Sequence, residues 1–166
     1  MHSKYIEGLR DFTSHVSSPH YILDCGYGGG MSHSVWLETW KDCEVFCISP
    51  EEPGKFEWEG RAKPLSVISL DNPRFHFSLG VMEDLPTIWP HLSQGFFDMV
   101  FIDTEHSYDG QIAQVRVGWA ALREGGIISG HDYNRDVVRR GTIEALGFVP
   151  TSMRLPDTTE VFFAKK

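Results

Sequence analysis

Short apolar runs of strand length alternate with helix-like segments along most of this chain, and this alternation restricts the fold more than any other feature. Apolar runs at residues 21–23, 44–48, 74–78, 97–102 and 127–129 predict five strands. Strands that alternate with helices form a mainly parallel sheet with helices on both faces. Two further runs, 148–149 and 161–164, have no helical pattern between them, which predicts a terminal antiparallel hairpin.

The clearest helix is predicted by an apolar stripe with a period near that of an α-helix. Its members are Tyr108, Ile112, Val115, Trp119 and Leu122, and the stripe stops at Gly125. Further helices are predicted at 5–15, 32–40, 83–92 and 134–146, although Pro86 and Pro90 limit the third. The polar, proline-containing residues 51–64 predict a loop, and residues 65–70 predict a short helix.

Length and charge limit the class of protein. The 166 residues suit one domain, which we divide into an N-terminal helix at 1–19 and an α/β core at 20–166. The net charge of −8 disfavours nucleic acid as a partner, because such binding neutralises phosphates. No apolar run has the length of a membrane span, and residues 1–7 lack the layout of a signal peptide. Cys25, Cys43 and Cys47 predict reduced thiols and a cytoplasmic location.

Candidate ligand-binding residues lie just after each predicted strand, because parallel sheets of this kind bind ligands at the carboxyl ends of their strands. After the first strand comes the loop Asp24-Cys25-Gly26-Tyr27-Gly28-Gly29-Gly30-Met31-Ser32. Its glycines allow a tight turn and a close approach to a ligand. Its spacing is G-x-G-x-G, and Met31 stands where a dinucleotide fingerprint has its third glycine. A glycine-rich turn that only packs the strand against the helix is the alternative.

Three segments in order resemble the class I S-adenosylmethionine-dependent methyltransferases. The glycine loop at 23–32 resembles their motif I. Residues 97–108, FDMVFIDTEHSY, resemble the FIDGDHSY segment of a small-molecule subfamily, and residues 122–133, LREGGIISGHDY, resemble its L-x-x-GG-x-x-x-x-HD segment. The resemblance runs from about Tyr21 to the C-terminus. It implies a Rossmann-like, doubly wound sheet of seven strands, mostly parallel with the last strand antiparallel.

The resemblance also implies which residues bind the cofactor. Gly26, Gly28 and Gly30 would line its methionine moiety, with Asp24 near the amino group and Ser32 near the carboxylate. Val81 and Met82 would lie beside the adenine, with Asp84 close by, and Asp103 beneath the sulfur.

One position departs from the pattern of the family. The family usually has an acidic residue that binds the ribose after the second strand, often in the sequence D-I-S-P, and here the sequence is Cys47-Ile48-Ser49-Pro50. A thiol is a poor hydrogen-bond acceptor beside a carboxylate. We therefore expect Cys47 at the ribose position, with Ser49, Glu51 or Glu52 taking over the contact, or a weakened affinity, or a different nucleotide.

A second cluster is predicted after the fourth and fifth strands, whose adjacent ends bring Asp103, His131 and Asp132 together. Carboxylates and an imidazole suit Mg²⁺ or another divalent metal, which would orient a substrate hydroxyl and lower its pKa. His106 matches the general base of the family in position, and with Asp103 it forms the predicted catalytic pair. Alternatively, His106 caps a helix and Asp103 orders its own loop.

The leading hypothesis is therefore a methyltransferase that uses S-adenosylmethionine to methylate a small molecule at oxygen, with a metal assisting. A non-catalytic relative that binds a nucleoside or a partner protein is the second hypothesis. A dinucleotide-dependent oxidoreductase is disfavoured by Met31 and by the missing acid after the second strand. We expect a small-molecule substrate and no nucleic-acid or membrane partner, and a homo-oligomer remains open.

Overall fold

Seven strands form one sheet in the computed structural model, which describes residues 2–53, 57–58, 61–62 and 71–166. They are β1 (Tyr21–Cys25), β2 (Glu44–Ser49), β3 (Phe75–Leu79), β4 (Phe97–Ile102), β5 (Leu122–Gly130), β6 (Thr151–Arg154) and β7 (Glu160–Lys165). Glu57–Trp58 and Arg61–Ala62 form a separate antiparallel pair. The short helix predicted at 65–70 lies outside the described residues, as does part of the loop predicted at 51–64.

The strand order is β3-β2-β1-β4-β5-β7-β6. All neighbours from β3 to β5 are parallel, whereas β7 runs antiparallel to both β5 and β6. This confirms the predicted seven-stranded, mostly parallel sheet with an antiparallel last strand. The order of the strands reverses between β1 and β4, and a crevice opens beyond the carboxyl ends of the strands at such a point.

Helices cover both faces of the sheet. They are α1 (His2–Thr13), α2 (Met31–Thr39), α3 (Leu85–Ile88), α4 (Tyr108–Ala121) and α5 (Asp136–Leu146), with 3₁₀ turns at Met82–Asp84 and Pro90–Leu92. One core cluster contains Phe12 of α1 and Trp36 of α2, and the other contains Leu85 of α3 and Val115 of α4. Among the described residues, no helix combines the length and the apolar character that crossing a membrane requires.

The helix predicted from the stripe ends earlier than expected. α4 stops at Ala121, and Leu122 adopts an extended conformation and pairs with Phe97 as the first residue of β5. The pairing of β4 with β5 then shifts register between Phe97 and Met99. Leu122 therefore supplies an apolar contact to the core from a strand, which a helical period cannot distinguish from a contact made by a helix.

The strand predicted at 148–149 was placed too early. Gly147 adopts a left-handed conformation that ends α5, and Phe148 and Val149 are exposed. Pro150 follows, and proline has no backbone N–H to give to a sheet. The strand β6 begins only at Thr151, so the predicted hairpin is present with a different first strand.

Candidate functional site

The glycine loop connects β1 to α2 beside the switch in strand order. Gly26, Gly28 and Gly30 all have positive φ angles, of 104°, 48° and 71°. A Cβ atom at Gly26 would collide with the backbone carbonyl of Asp103, so this glycine lets the loops after β1 and β4 pack together. A Cβ atom at Gly28 would have no neighbour within 4 Å among the described residues. Gly28 thus faces open space and is not packed against another element.

Asp24 lies fully buried near the end of β1 and beneath this loop. Its Oδ2 accepts a 2.7 Å hydrogen bond from Nε1 of Trp36, whereas Oδ1 has no hydrogen-bond partner among the described residues. Burial raises the pKa of the Asp24 carboxyl to about 8, against the opposing effect of the neighbouring Ser32 and Trp36. Asp24 therefore has one buried carboxyl oxygen that the rest of the described chain does not use.

His33 adjoins Asp24 and was not singled out from the sequence. Its ring is fully buried and stacks on Tyr27 with centroids 5.4 Å apart, and Nε2 lies 3.6 Å from Oδ2 of Asp24. Burial lowers the pKa of His33 to about 3, so the imidazole is neutral. Neither ring nitrogen has a hydrogen-bond partner among the described residues. A histidine in the first turn of a helix gives no signal by which the sequence could predict this.

Cys47 lies within β2, close to its end. It pairs with Asp24 and Phe77 in the middle of the sheet, two residues before the end of β2, and its thiol is fully buried. Burial raises the pKa of Cys47 well above its usual value, so the thiol remains neutral. The strand ends at Ser49, whose Oγ accepts a 3.3 Å hydrogen bond from the backbone N–H of the exposed Glu51. The side chain of Cys47 is therefore not exposed at the rim of the sheet.

The two residues predicted beside the adenine point in opposite directions. Val81 is 45% exposed, and its backbone N–H donates a 3.1 Å hydrogen bond to Oδ2 of Asp84. Met82 is buried in the core and packs near Gly118 of α4. Val81 is thus the member of the pair that faces the rim of the sheet.

Asp103, His131 and Asp132 meet as the sequence predicted. Nδ1 of His131 lies 3.6 Å from Oδ1 of Asp103 and 3.6 Å from Oδ1 of Asp132. One ligand atom from each residue falls within 4.8 Å of the others, a spacing that a metal ion can bridge. The cause is the pairing of β4 with β5, which places the N–H of His131 on the carbonyl of Ile102 at 3.0 Å.

His106 lies between the two carboxylates of this cluster. Its Nε2 is 3.1 Å from Oδ2 of Asp132 and 3.6 Å from Oδ1 of Asp103. The two nearby carboxylates of Asp103 and Asp132 raise the pKa of His106 to about 9. Burial alone would raise the pKa of Asp103, but the two histidines outweigh burial and lower it. Two anions thus stabilise the charged form of His106.

Tyr5 enters the site from α1, which the sequence did not predict. Its hydroxyl donates a 3.1 Å hydrogen bond to Oδ2 of Asp103, and its ring meets that of His131 edge-on at 4.9 Å. Burial raises the pKa of this hydroxyl well above its usual value, so it is protonated and can donate. The spacing of Tyr5, Leu9 and Phe12 indicates that α1 buries one face, but it does not indicate which residue the hydroxyl contacts.

A second contribution that the sequence did not reveal comes from the turn between β6 and β7. Nε2 of His131 lies 2.8 Å from Oγ1 of Thr159, and Thr159 Oγ1 lies 2.5 Å from Oδ1 of Asp157. The same carboxylate oxygen accepts a 3.1 Å hydrogen bond from the backbone N–H of Thr159. These residues are separated from His131 by α5 and β6 in the chain, so local sequence patterns carry no signal of the contact.

Comparison with known proteins places this site in a family. The family model described as a methyltransferase domain matches residues 23–133, a range that contains the glycine loop and all members of the predicted metal cluster. No curated protein sequence matches the chain.

Solved structures share the fold at low sequence identity. A geranyl diphosphate methyltransferase, solved with GPP and sinefungin, is 16% identical over 98% of this chain and 77% of its own, with a TM-score of 0.68. A protein from Nostoc punctiforme, provisionally classed as an O-methyltransferase, is 12% identical over 98% of this chain and 56% of its own, with a TM-score of 0.64. A spermidine synthase from Thermotoga maritima is 15% identical over 98% of this chain and 59% of its own, with a TM-score of 0.61. This chain spans about half the length of several such proteins.

Proposed function

This chain belongs to the methyltransferase domain family, and from that premise we propose that it transfers the methyl group of S-adenosylmethionine to an oxygen atom of a small molecule, with a divalent cation assisting. One observation carries the proposal. The glycine loop after β1 packs directly against the loop after β4 at Gly26 and Asp103, so the glycine loop and the cluster around Asp103 lie at the same switch point of the sheet.

The residues at this rim fit such a cofactor. Gly28 leaves space above the loop, and the first N–H groups of α2 have no partner within the helix, which suits a carboxylate. The unused Oδ1 of Asp24 is an acceptor for an amino group. We assign the ribose contact to Ser49, at the end of β2, and to the exposed Glu51, whose backbone N–H donates a hydrogen bond to Ser49.

S-adenosylmethionine supplies a methyl group bound to a positively charged sulfur. The methyl group transfers to a nucleophile by an in-line displacement. The protein then contributes mainly orientation, since correct placement of two reactants accounts for much of the acceleration in such displacements. The carboxylate of Asp103, with a lowered pKa, supplies negative charge close to the loop. That charge would favour a sulfonium over its neutral demethylated product.

The donor set of Asp103, His131 and Asp132 suits a divalent cation with mixed oxygen and nitrogen ligands, such as Mn²⁺ or Mg²⁺. When bound, the cation would orient a substrate hydroxyl and lower its pKa. The role that we assign to His106 is to accept the proton of that hydroxyl. A cation on the two carboxylates would share the negative charge that favours the protonated imidazole, and this supports the role.

Titration calorimetry with a pair of matched variants tests the cofactor site. Gly28→Asn fills the space above the loop, whereas Gly147→Asn makes the same change at the end of α5, where φ is also positive and the surroundings are also open. We expect the wild type and Gly147→Asn to bind S-adenosylmethionine and its demethylated product, and Gly28→Asn to lose most of that affinity. A wild type that binds neither compound at millimolar concentration would refute the proposal.

Transfer is tested separately with S-adenosylmethionine labelled on its methyl group and a panel of hydroxylated small molecules, with and without Mg²⁺ or Mn²⁺. We expect label in the organic acceptor only when a metal is present. Binding of the cofactor without transfer under any of these conditions would favour the non-catalytic alternative. Transfer that is unaffected by a chelator would remove the metal from the proposal.

A further inference from the structure

We propose that Thr159, oriented by Asp157, is a positioning residue that keeps the proton of neutral His131 on Nε2 and leaves the lone pair of Nδ1 to a divalent cation. This inference rests on the metal-assisted function proposed above and adds residues from the turn between β6 and β7. The contact between His131 Nε2 and Thr159 Oγ1, at 2.8 Å, is its starting point.

The direction of the hydrogen bonds follows from counting protons. An ionised carboxylate only accepts hydrogen bonds, and a threonine hydroxyl has one proton to donate. Asp157 Oδ1 lies 2.5 Å from Thr159 Oγ1, so the hydroxyl proton of Thr159 goes to Asp157. Thr159 Oγ1 can then only accept from His131, and the proton of the neutral imidazole must lie on Nε2.

The opposite nitrogen of His131 faces two carboxylates. With the proton on Nε2, Nδ1 presents a lone pair 3.6 Å from Oδ1 of Asp103 and 3.6 Å from Oδ1 of Asp132. Three electron-rich atoms then converge with no hydrogen between them, an arrangement that a cation stabilises. The other tautomer would place an N–H among the carboxylates and occupy the position of the cation. Residues that fix the tautomer of a liganding histidine in this way commonly affect metal affinity.

Backbone strain concentrates beside this contact. Among the residues that the structure describes, Asp132 and Thr158 are the non-glycine residues with positive φ, at 57° and 78°. Asp132 follows His131, and Thr158 precedes Thr159. A β-branched residue rarely adopts such a conformation, and strain of this kind persists where the surrounding structure enforces it, often at functional sites. The two strained residues thus flank the two partners of one hydrogen bond.

The sheet explains how the turn is kept at His131. Thr159 immediately precedes β7, which pairs with β5 so that Phe162 lies opposite Gly130, the residue before His131. The turn itself is closed by hydrogen bonds of 2.8 Å from Leu155 N to Thr159 O and 3.0 Å from Thr158 N to Leu155 O. The position of Thr159 is therefore fixed by the β5–β7 ladder and by the backbone of the turn.

Two measurements on the full chain without cofactor test this inference. Nitrogen-15 NMR at alkaline pH identifies the ring nitrogen of His131 that carries the proton, and titration calorimetry measures Mn²⁺ affinity. We expect an Nε2–H tautomer in the wild type. Thr159→Val should show a mixture of tautomers and bind Mn²⁺ about 10- to 100-fold more weakly. Thr159→Ser, which keeps the hydroxyl, should restore both properties, and Thr151→Val, on the exposed strand β6, should match the wild type.

The outcomes separate this inference from the proposed function. A wild-type proton on Nδ1, a wild type that does not bind Mn²⁺, or a Thr159→Val variant with unchanged tautomer and affinity would each overturn the inference. Methyl transfer by the wild type would still support the proposed function in the last of these cases. Conversely, a chain that does not bind S-adenosylmethionine would refute the proposed function, while the tautomer and Mn²⁺ affinity would still decide the role of Thr159.

Discussion

The hydroxyl of Tyr5 donates a 3.1 Å hydrogen bond to Oδ2 of Asp103, across 98 residues of the chain. Helix α1 is therefore part of the candidate site. Because Oδ2 is occupied by Tyr5, Oδ1 of Asp103 is the oxygen left to face His106 and His131. A residue outside the segment matched by the family model thus orients a carboxylate inside it.

Replacing Tyr5 by Phe tests that contact. Loss of a partly buried hydrogen bond to a charged group should lower the free energy of unfolding by about 1–2 kcal/mol. It should also weaken Mn²⁺ binding several-fold, because Asp103 becomes free to rotate. Chemical denaturation and calorimetry measure the two effects, and Tyr21→Phe, at a ring 37% exposed and remote from the rim, is the control. Equal behaviour of the two variants would contradict the assigned contact.

Replacing Asp24 by Asn should stabilise the protein increasingly as pH rises. The pKa of Asp24 is about 8 in the folded chain against 3.8 as the reference value. The folded state therefore retains a proton that the unfolded state releases, and stability is lost as pH rises from about 4 to about 8. Asn has no such proton, so the stability difference between variant and wild type should grow by on the order of 4 kcal/mol from pH 5 to pH 8.

Urea unfolding of both proteins at several pH values measures this difference. A difference that stays constant over that range would show that Asp24 is ionised in the folded chain. Above about pH 8, where the wild-type residue is a carboxylate, the same variant should bind S-adenosylmethionine more weakly, because an amide is a weaker acceptor for an amino group.

Replacing His33 by Phe should have the opposite pH dependence. The pKa of His33 is about 3 in the folded chain against 6.5 as the reference value. The unfolded chain therefore takes up a proton that the folded chain rejects, so stability is lost as pH falls below 6.5. Phe can stack on Tyr27 without a proton to gain, and its relative stability should improve by about 3 kcal/mol from pH 6.5 to pH 4.

Thermal unfolding over the acidic range measures the effect of His33, with His76→Phe as the matched control. His76 is a partly exposed residue of β3 that contacts Glu44 on the neighbouring strand, and it lies away from the rim. If His33→Phe and the wild type lost equal stability as the pH falls, this result would contradict the neutral, buried state of His33.

Replacing His106 by Asn separates catalysis from binding. If His106 accepts the proton of the substrate, the variant should lose about 10²- to 10⁴-fold in kcat. Its affinity for S-adenosylmethionine should change far less, since His106 contacts Asp103 and Asp132 rather than the glycine loop. Single-turnover methyl transfer and calorimetry provide the two numbers. Equal losses in both would indicate that the imidazole only supports the structure.

The sequence was sufficient to predict those parts of the site that depend on strand ends. The loop from Asp24 to Ser32 and the meeting of Asp103 with His131 and Asp132 follow from two facts, namely that strands end at glycine or polar residues and that adjacent parallel strands end at one edge. Cys47 lies within its predicted strand with a buried thiol, and its contact with ribose stays a prediction. The assumed strand ended one residue too early, and a motif alignment does not show that the thiol points into the core.

The contributions of Tyr5 and Thr159 could not be predicted for a different reason. Each reaches the rim through tertiary packing, Tyr5 from a helix before the sheet and Thr159 from the turn between β6 and β7. An amphipathic period predicts that a helix or strand buries one face. It does not predict which polar atoms of that face form hydrogen bonds with each other. His33 belongs to the same class, because only the fold shows that its ring is enclosed by Tyr27 and Phe75.

The placement of β7 between β5 and β6 has a consequence for biosynthesis. Residues 21–132 leave the ribosome before residues 151–165, yet His131 receives its partner Thr159 only when the later segment has been inserted into the sheet. During synthesis, the contact between His131 and Thr159 can therefore form only after the last strand of the sheet has been made.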